Sequence, residues 1–474
     1  MRTPHTAAVR GGVRIGGMGH NVRHTMEENT IAAIATPPGG AIGVVRISGR
    51  DAISIADEVF KARGGKPLAS AGSHTMHYGD IAGVDEVLAA VFKEGKSYTG
   101  EPSVEFYCHG SRYVMAKIME LLISAGASQA MPGEFTKRAY LNRRIDLSQA
   151  EAVADLIAAD GRAAHDIALR QLKGGVGEEL GAIRERLLEL TTLVELEMDF
   201  SDQDVEFADR GEILSAAREA ERRIAALAGT FADGRAFKEG IPVAITGKTN
   251  VGKSTLLNAL LKEDKAIVSD IHGTTRDFIE DTISVGGVVF RMVDTAGIRD
   301  TADEVEKLGI ERSRDKVRQA SIVLWVVDGQ PSEGEVADMA ERCAGKKMAV
   351  VRNKADLGVP KPITGLPAGT PVVEVSARNG DNIGSVENLL CELSGAENAT
   401  ADKVMITNAR HYEALSKAAM AVRRVEEGIG DGLPGDLLAE DLRDAVSHIN
   451  DIVGKGITTG DVLENIFANF CVGK

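Results

Sequence analysis

Apolar and polar residues alternate in three different ways along this chain. Between residues 26 and 145, short apolar runs are separated by turn residues; residues 30–49 (TIAAIATPPGGAIGVVRISG) predict a strand, a Pro-Gly turn and a second strand. The segments around 76–93 and 103–109 predict further strands, and residues 113–125 have a helical pattern. This part of the chain therefore predicts an α+β domain.

The second pattern is helical and begins at Asp146. Turn residues become sparse up to about Phe237, and the same pattern returns after residue 400. The first apolar residues with helical spacing are Leu147, Ala150, Val153, Ala154 and Ile157. Long stretches of this kind predict helices packed in a bundle.

The third pattern alternates strands with helices between the two helical segments. Apolar runs that predict buried strands lie at 243–245, 288–293, 322–327, 349–351 and 372–375. Helical stretches separate most of these runs, as a mostly parallel α/β sheet requires. The simplest topology inserts this α/β domain into one helical domain, and separate domains in series are the alternative.

The predicted fold class is thus multidomain α/β and α, and a length of 474 residues suits two to four domains. An N-terminal α+β domain is followed by a helical bundle with an inserted α/β domain. The predicted bounds are 28–144 for the first domain, 145–237 with 396–474 for the helical domain, and 238–395 for the inserted domain.

Composition and charge limit the classes of function. Apolar residues make up 43% and charged residues 26%, which is ordinary for globular proteins. The net charge of −15 argues against binding of nucleic acid over a broad positively charged surface. A local basic patch or a partner that carries the RNA is compatible with this charge. No apolar stretch approaches the length of a membrane span, so no membrane partner is expected.

The cysteines and the N-terminus bear on the cellular compartment. Cys108, Cys343, Cys391 and Cys471 are scattered without metal-site spacing, which predicts reduced thiols in a cytoplasmic protein. The first 25 residues carry four arginines and no acidic residue. They are interpreted either as a targeting peptide or as an over-called start before Met26, so residues 1–27 are treated as an extension outside the fold.

Residues 247–254 (GKTNVGKS) fit the phosphate-binding pattern G-x-x-x-x-G-K-[ST]. They follow an apolar strand and precede a helical run, which is the context that this motif needs. Its glycines let backbone N–H groups surround phosphates, Lys253 reaches the β and γ phosphates, and Ser254 ligates Mg²⁺.

Three further elements follow in the order of a GTP-binding domain. Residues 294–297 (DTAG) are expected to hold the Mg²⁺ shell and sense the γ-phosphate, and residues 376–377 (SA) to pack on the base. In residues 353–356 (NKAD), Asp356 can accept hydrogen bonds from guanine N1–H and the 2-amino group. Adenine lacks this donor pair, so the sequence predicts GTP as the substrate. The inserted domain is therefore predicted to be a P-loop GTPase domain with a Ras-like α/β fold.

The groups that would drive hydrolysis are less evident from the residues alone. Ile298 occupies the position at which many small GTPases carry a water-orienting glutamine. The acidic alternatives downstream are Asp300, Asp303, Glu304 and Glu306. Positive charge for the transition state is expected either from Arg276 or from a monovalent cation beside the Asn250 side chain.

Motifs outside the α/β segment carry a resemblance to one family. They are residues 36–39 (TPPG) with 45–49 (VRISG), residues 97–101 (SYTGE) with Glu105, His109 and Gly110, residues 132–136 (PGEFT) with Leu141, Asn142 and 146–152 (DLSQAEA), and the terminus 470–474 (FCVGK). With the embedded GTP-binding motifs, the chain resembles the tRNA-modification GTPase family MnmE, also called TrmE, from about residue 28 to Lys474.

The resemblance implies an activity and its partners. Family members modify the wobble uridine of tRNA to 5-carboxymethylaminomethyl- or aminomethyl-uridine, as homodimers that form a heterotetramer with the flavoprotein MnmG. The one-carbon unit comes from 5-formyltetrahydrofolate or a related tetrahydrofolate held by the N-terminal domain. The folate contacts correspond to Arg46, Glu105, Arg144 and Lys474, and Arg144 stands where some members carry lysine.

The resemblance also implies GTP hydrolysis that potassium and dimerisation activate. The potassium ligands of the family correspond to Asn250, Ser269, Ile271 and Thr274. The Mg²⁺ ligands of the family correspond to Ser254 and Thr275, and its catalytic groups correspond to Glu306 and Lys253. The role of Cys471 stays open between a nucleophile and a residue with a packing or folate-proximal role. The nucleotide contacts are then Asn250, Val251, Gly252, Lys253, Ser254, Thr255, Ser269, Thr275, Asp294, Thr295, Ala296, Gly297, Asn353, Lys354, Asp356, Ser376 and Ala377.

Some positions depart from the family pattern, and other functions compete with this interpretation. Cys108 and Ser111 flank His109-Gly110 where glycines are usual, and Lys248-Thr249 replaces the common arginine-proline. A ribosome-assembly or signalling GTPase would switch between partners without needing the folate residues. A structural protein with an inactive nucleotide site would not hydrolyse GTP at all.

Overall fold

The computed structural model describes residues 29–199, 210–264, 282–293, 317–358, 362–396, 403–455, 460–468, 470 and 472–473. These residues form two compact units, one of residues 29–131 with Gly473 and the other of the described residues from Pro132 to Val472. Among the described residues, none of the helices combines the length and the apolar composition that a membrane span requires. The domain bounds predicted from the sequence remain predictions.

The first unit contains a seven-stranded sheet with the order β3-β4-β5-β6-β2-β1-β7. Its strands are β1 (Ile31–Ile34), β2 (Ile42–Ser48), β3 (Phe60–Ala62), β4 (Thr75–Ile81), β5 (Asp85–Phe92), β6 (Ser103–His109) and β7 (Ser128–Gln129). Its helices are α1 (Ala52–Val59) and α2 (Arg112–Ser124). The strands and the helix predicted for this part of the chain are confirmed, and residues 35–41 form the predicted turn between the antiparallel strands β1 and β2.

Alternation along β2 and β6 gives the sheet two different faces. Val45 and Ile47 on β2, with Val104 and Phe106 on β6, are buried in the core that α1 and α2 cover. Successive side chains of a strand point to opposite faces. Arg46 and Glu105 therefore lie on the face that these two helices leave uncovered.

The second unit contains the remaining described helices. They are α3 (Glu134–Leu141), α4 (Leu147–Ala158), α5 (Arg162–Leu172), α6 (Gly175–Asp199), α7 (Arg210–Gly229), α8 (Phe231–Glu239), α9 (Lys253–Asp264), α10 (Glu333–Arg342), α11 (Ile383–Ser394), α12 (Ala409–Gly430), α13 (Gly435–Val453) and α14 (Gly460–Phe467). Helices α6 and α7 pack against α12 and α13 around one apolar cluster. Helical segments on both sides of the α/β segment thus share one core, which confirms the predicted fold class with an inserted domain.

The sheet of the second unit has six strands in the order β13-β12-β11-β8-β10-β9. The strands are β8 (Ile241–Thr246), β9 (Thr282–Val285), β10 (Val288–Met292), β11 (Ile322–Val327), β12 (Lys347–Arg352) and β13 (Val372–Glu374). Neighbours are parallel except in the β9–β10 hairpin. Alternate residues of β8 and β11 enter separate apolar clusters on the two faces of the sheet.

Two features of this sheet differ from the sequence analysis. The short strand β9 was not predicted, although Gly286 and Gly287, with φ of +60° and +80°, form the two-residue turn that marks such a hairpin. The run 372–375 was predicted to be a buried strand; the strand is confirmed, but its predicted burial is wrong. β13 is an edge strand that pairs on one side only, so Val372 is 41% exposed and only Val375 of this run is buried.

A buried ionic cluster joins three helices of the second unit. Glu151 on α4 is 8% exposed and accepts hydrogen bonds from Arg410 Nε and Nη2 at 3.0 and 2.9 Å. His411 Nε2 lies 2.5 Å from Glu151 Oε2, and Arg410 also donates to the carbonyls of Asp451 and Ile452 at the end of α13. Burial alone would raise the pKa of Glu151, but the charge and hydrogen bonds of His411 and Arg410 lower this pKa to about 2.

We expect Glu151→Gln to lower the free energy of unfolding by about 3 kcal/mol at neutral pH, because it leaves the partly buried Arg410 and the buried His411 without their carboxylate partner. The folded-state pKa of about 2 lies below the ordinary 4.5, so this stabilisation is complete above 4.5 and is lost as pH falls toward 2. Urea unfolding should therefore show that the free energies of unfolding of the wild type and of Glu151→Gln differ less at about pH 3 than at neutral pH. Glu413→Gln, which breaks an exposed ion pair with Lys417 on α12, is the control with little expected change. A constant difference at both pH values would contradict the assignment.

Candidate nucleotide-binding site

The carboxyl ends of five parallel strands lie at one edge of the six-stranded sheet. The loop after β8 leads into α9 at Lys253, and the segments after β12 and β13 carry Asn353, Asp356 and Ser376. Ligands of open α/β sheets bind in the crevice outside the carboxyl ends of the strands. The topology therefore brings the phosphate-loop motif and the base-recognition motifs to the same edge.

Three residues of the loop 247–252 adopt positive φ angles, which are +149° for Gly247, +66° for Asn250 and +96° for Gly252. A Cβ atom on Gly247 would lie 2.2 Å from the carbonyl oxygen of Val326 on β11. Glycine at this position thus lets the loop backbone pass directly against the neighbouring strand.

Lys253 spans the loop from the start of α9. Its Nζ donates to the carbonyl oxygens of Gly247 at 2.8 Å and Lys248 at 2.5 Å. Ser254 and Thr255 follow in the first turn of the helix, where backbone N–H groups and the positive dipole end favour an anion. This arrangement suits a bound phosphate, with an ammonium group already turned across the loop.

Asn353 connects the phosphate loop to the segment after β13. It is 5% exposed; its Nδ2 donates to Val251 O at 2.8 Å, and its Oδ1 accepts from Ala377 N at 2.9 Å. A Cβ atom on Gly252 would lie 2.1 Å from Asn353 Nδ2. The amide thus fixes the two loops relative to each other, and this close contact requires glycine at position 252.

Asp356 lies in an exposed short turn after β12. The hydroxyl of Ser376, which is 2% exposed, donates to Asp356 Oδ1 at 2.7 Å. The carboxylate keeps further lone pairs as acceptors for donors of a base. Ser376 thus orients the group that the sequence analysis assigned to guanine.

Two contacts at this edge were missed by the sequence analysis. Lys354, with φ of +63°, donates from Nζ to Asp328 Oδ2 at 2.7 Å, and Lys248 Nζ lies 2.6 Å from Glu335 Oε1. The position of Asp328 directly after the apolar run 322–327 is the signal that would have pointed to it. No local pattern marks Glu335 as a partner of the phosphate loop.

Arg46 and Glu105 come together on the uncovered face of the first sheet. They are cross-strand neighbours, and Arg46 Nη2 lies 2.9 Å from Glu105 Oε1. Arg46 Nη1 also donates to Gly473 O at 3.1 Å, and Tyr107 Oη donates to Glu105 Oε2 at 2.8 Å. Burial, followed by this hydrogen bond, raises the pKa of Tyr107. Arg144 is exposed and belongs to the second unit.

Several predicted site residues lie outside the described residues. They are Ser269, Ile271, Thr274, Thr275, Asp294, Thr295, Ala296, Gly297, Glu306, Cys471 and Lys474, together with Arg276 and Ile298. Their predicted roles stay predictions.

Comparisons with known proteins cover almost the whole chain. A family model described as the MnmE helical domain matches residues 147–471, and one described as GTP-binding protein TrmE N-terminus matches residues 30–144. The chain is 47% identical over 466 residues to a tRNA modification GTPase MnmE of Bacteroides thetaiotaomicron, covering 95% of this chain and 100% of that protein. It is 46% identical over 473 residues to the protein of that name from Porphyromonas gingivalis, and the match covers 96% of this chain and 100% of that protein. It is 44% identical over 458 residues to the protein of that name from Cytophaga hutchinsonii, and the match covers 95% of this chain and 99% of that protein.

Proposed function

The chain belongs to the MnmE family of tRNA modification GTPases, and from this premise we propose that it hydrolyses GTP to power the modification of the tRNA wobble uridine. The observation that carries the proposal is the junction at Asn353, which joins the phosphate loop to the segment after β13 beside Asp356. One set of side chains thereby supports both triphosphate binding and guanine selection. Ser254, in the first turn of α9, suits Mg²⁺ as a hydroxyl ligand.

We further propose that the chain acts in the cytoplasm as a homodimer with the flavoprotein MnmG, and that the one-carbon unit comes from a tetrahydrofolate. The product would be 5-carboxymethylaminomethyl- or aminomethyl-uridine. The Arg46–Glu105 pair supports the folate part, because a guanidinium suits carboxylates and a carboxylate suits pterin N–H donors.

Nucleoside analysis of tRNA from cells that lack this protein tests the proposal. The modified uridine is expected to be absent from these cells and to return with the wild-type gene, but not with a Lys253→Ala variant that cannot hold the phosphates. Unchanged modification in the deletion strain would remove the proposed function. Restoration by the Lys253 variant would separate the modification from GTP hydrolysis.

We expect GTP hydrolysis to be at least about tenfold faster in potassium than in sodium buffer, because a bound cation can offset transition-state charge in place of an arginine. Asn250 is exposed in the phosphate loop and lies in the left-handed region. Asn250→Gly removes its side-chain oxygen without backbone strain, so the preference for potassium should disappear. Asn382→Gly, at a second left-handed asparagine with φ of +61°, is the matched control. Equal rates of the wild type in both buffers would overturn the cation assignment.

We expect Arg46→Ala to weaken binding of 5-formyltetrahydrofolate by about tenfold to a hundredfold, because it removes a charge-assisted hydrogen bond. Equilibrium dialysis with the folate measures this effect. Arg63→Ala removes an exposed arginine of the same unit, which pairs with Asp80 and Glu86, and should leave folate binding unchanged. Equal losses in both variants would argue against a specific site at Arg46.

A further inference from the structure

An ion pair connects the phosphate loop to the start of α10. Lys248 is the second residue of the loop motif, and its Nζ lies 2.6 Å from Glu335 Oε1. The lysine side chain is 72% exposed, whereas that of Glu335 is 32% exposed. The loop residues 248–250 are all exposed, so side-chain packing constrains this part of the loop little.

Glu335 is itself held in place by its own helix. Its second carboxylate oxygen, Oε2, accepts from the backbone N–H of Ser332 at 2.9 Å and from the Ser332 hydroxyl at 3.0 Å. The hydrogen bond from the Ser332 backbone N–H to this carboxylate is part of the capping box at the start of α10. Because one oxygen caps the helix, the other is presented to Lys248 in a defined position. The hydrogen bond from Lys248, followed by that from the Ser332 backbone, lowers the pKa of Glu335, so the carboxylate stays ionised at neutral pH.

Lys248 also contacts Lys253, the lysine that is expected to bind the phosphates. The backbone carbonyl of Lys248 accepts a hydrogen bond from Lys253 Nζ at 2.5 Å. The loop is also bound at Gly247, whose backbone lies against Val326 of β11. Lys248 therefore stands between a fixed point on α10 and the ammonium group of Lys253.

We propose that Glu335 is a positioning residue for nucleotide binding, which holds the phosphate loop through Lys248 and thereby orients Lys253. Glu335 acts through Lys248 and does not touch the nucleotide. The loop of this chain carries lysine where arginine is common in the family, and Glu335 supplies the partner that this lysine uses.

The size of the effect follows from the exposure of the pair. A partly exposed ion pair contributes little in water and is screened by salt, so loss of Glu335 should weaken binding of a fluorescent GDP analogue about twofold to fivefold. The effect should be present at low ionic strength and largely absent in about 1 M salt, where the Debye length is about 3 Å. A purely structural contribution of Glu335 to α10 would not depend on salt in this way.

Glu335→Gln separates the two roles of this residue, since glutamine also serves in a capping box but carries no charge for Lys248. We expect Glu335→Gln to weaken GDP binding with little change in Tm. Lys248→Met should weaken binding to a similar extent, and the double variant should be no weaker than either single variant. Lys248→Arg, which keeps the positive charge, should retain most of the wild-type affinity for GDP.

Asp338→Asn is the matched control, because it breaks an ion pair with Arg342 on the same helix without involving the phosphate loop. This control should bind GDP like the wild type. Wild-type affinity of Glu335→Gln at low salt, additive losses in the double variant, or an equal loss in Asp338→Asn would each overturn the proposal. A salt-sensitive loss confined to the Lys248 and Glu335 variants would support it.

Discussion

Asp356→Asn is expected to weaken GTP binding by about two to three orders of magnitude while leaving the fold intact. A carboxylate can accept two hydrogen bonds from guanine, whereas an asparagine amide offers one acceptor and turns a donor toward the other guanine donor. Each charge-assisted hydrogen bond contributes about 1.5–3 kcal/mol, so loss of the matched pair accounts for an effect of this size. The Ser376 hydroxyl can donate or accept, so its 2.7 Å contact with residue 356 survives the substitution.

A change of base tests whether Asp356 selects guanine. Xanthine carries a carbonyl oxygen where guanine has its 2-amino group, and an asparagine amide can donate to that oxygen. In binding assays with fluorescent GDP and XDP analogues, the wild type should therefore prefer GDP and the Asp356→Asn variant should prefer XDP. An unchanged ratio of the two affinities would mean that Asp356 does not face the base.

The second large effect is expected for Gly252→Ala, which should reduce nucleotide affinity at least about a hundredfold. A Cβ atom at position 252 would lie 2.1 Å from Asn353 Nδ2, so the amide would have to leave its contacts with Val251 and Ala377. An alanine with φ of +96° adds strain of about 1–3 kcal/mol, and each lost buried hydrogen bond adds about 1–3 kcal/mol. Titration with a fluorescent GDP analogue measures the loss.

Gly345→Ala is the matched control for this substitution. Gly345 lies between α10 and β12 with φ of +76°, but a Cβ atom there would meet nothing within 4 Å. This variant carries the same kind of backbone strain without displacing a neighbouring side chain. If both alanine variants lost nucleotide affinity equally, the contact with Asn353 would not explain the requirement for glycine.

The elements that depend on local patterns were predictable from the sequence. The phosphate loop is recognisable because its glycines and lysine are close in sequence and their backbone conformation is a local property. The inserted arrangement was predictable because helical periodicity breaks off before residue 238 and returns after residue 400. The five predicted strand runs of the α/β segment all form strands.

The errors occurred where the neighbours of a segment decide its environment. Residues 372–375 are apolar enough for an interior strand, but their position at the edge of the sheet leaves Val372 and Glu374 exposed. β9 has only four residues, and its pairing with β10 across Gly286-Gly287 makes it a strand. Burial and pairing are properties of the sheet order, which the periodicity of one segment does not contain.

The sequence by itself determined the family, the nucleotide-binding motifs and the order of the structural segments, because these depend on residue types at short spacing. Tertiary structure alone decided which side chains meet. Arg46 and Glu105 pair because of the register between β2 and β6, and Asn353 joins two loops because parallel strands end at one edge. Lys248 meets Glu335, 87 positions later in the chain, because α10 begins beside the phosphate loop. Contacts between distant positions depend on strand order and register, and these are set by the packing of the whole unit.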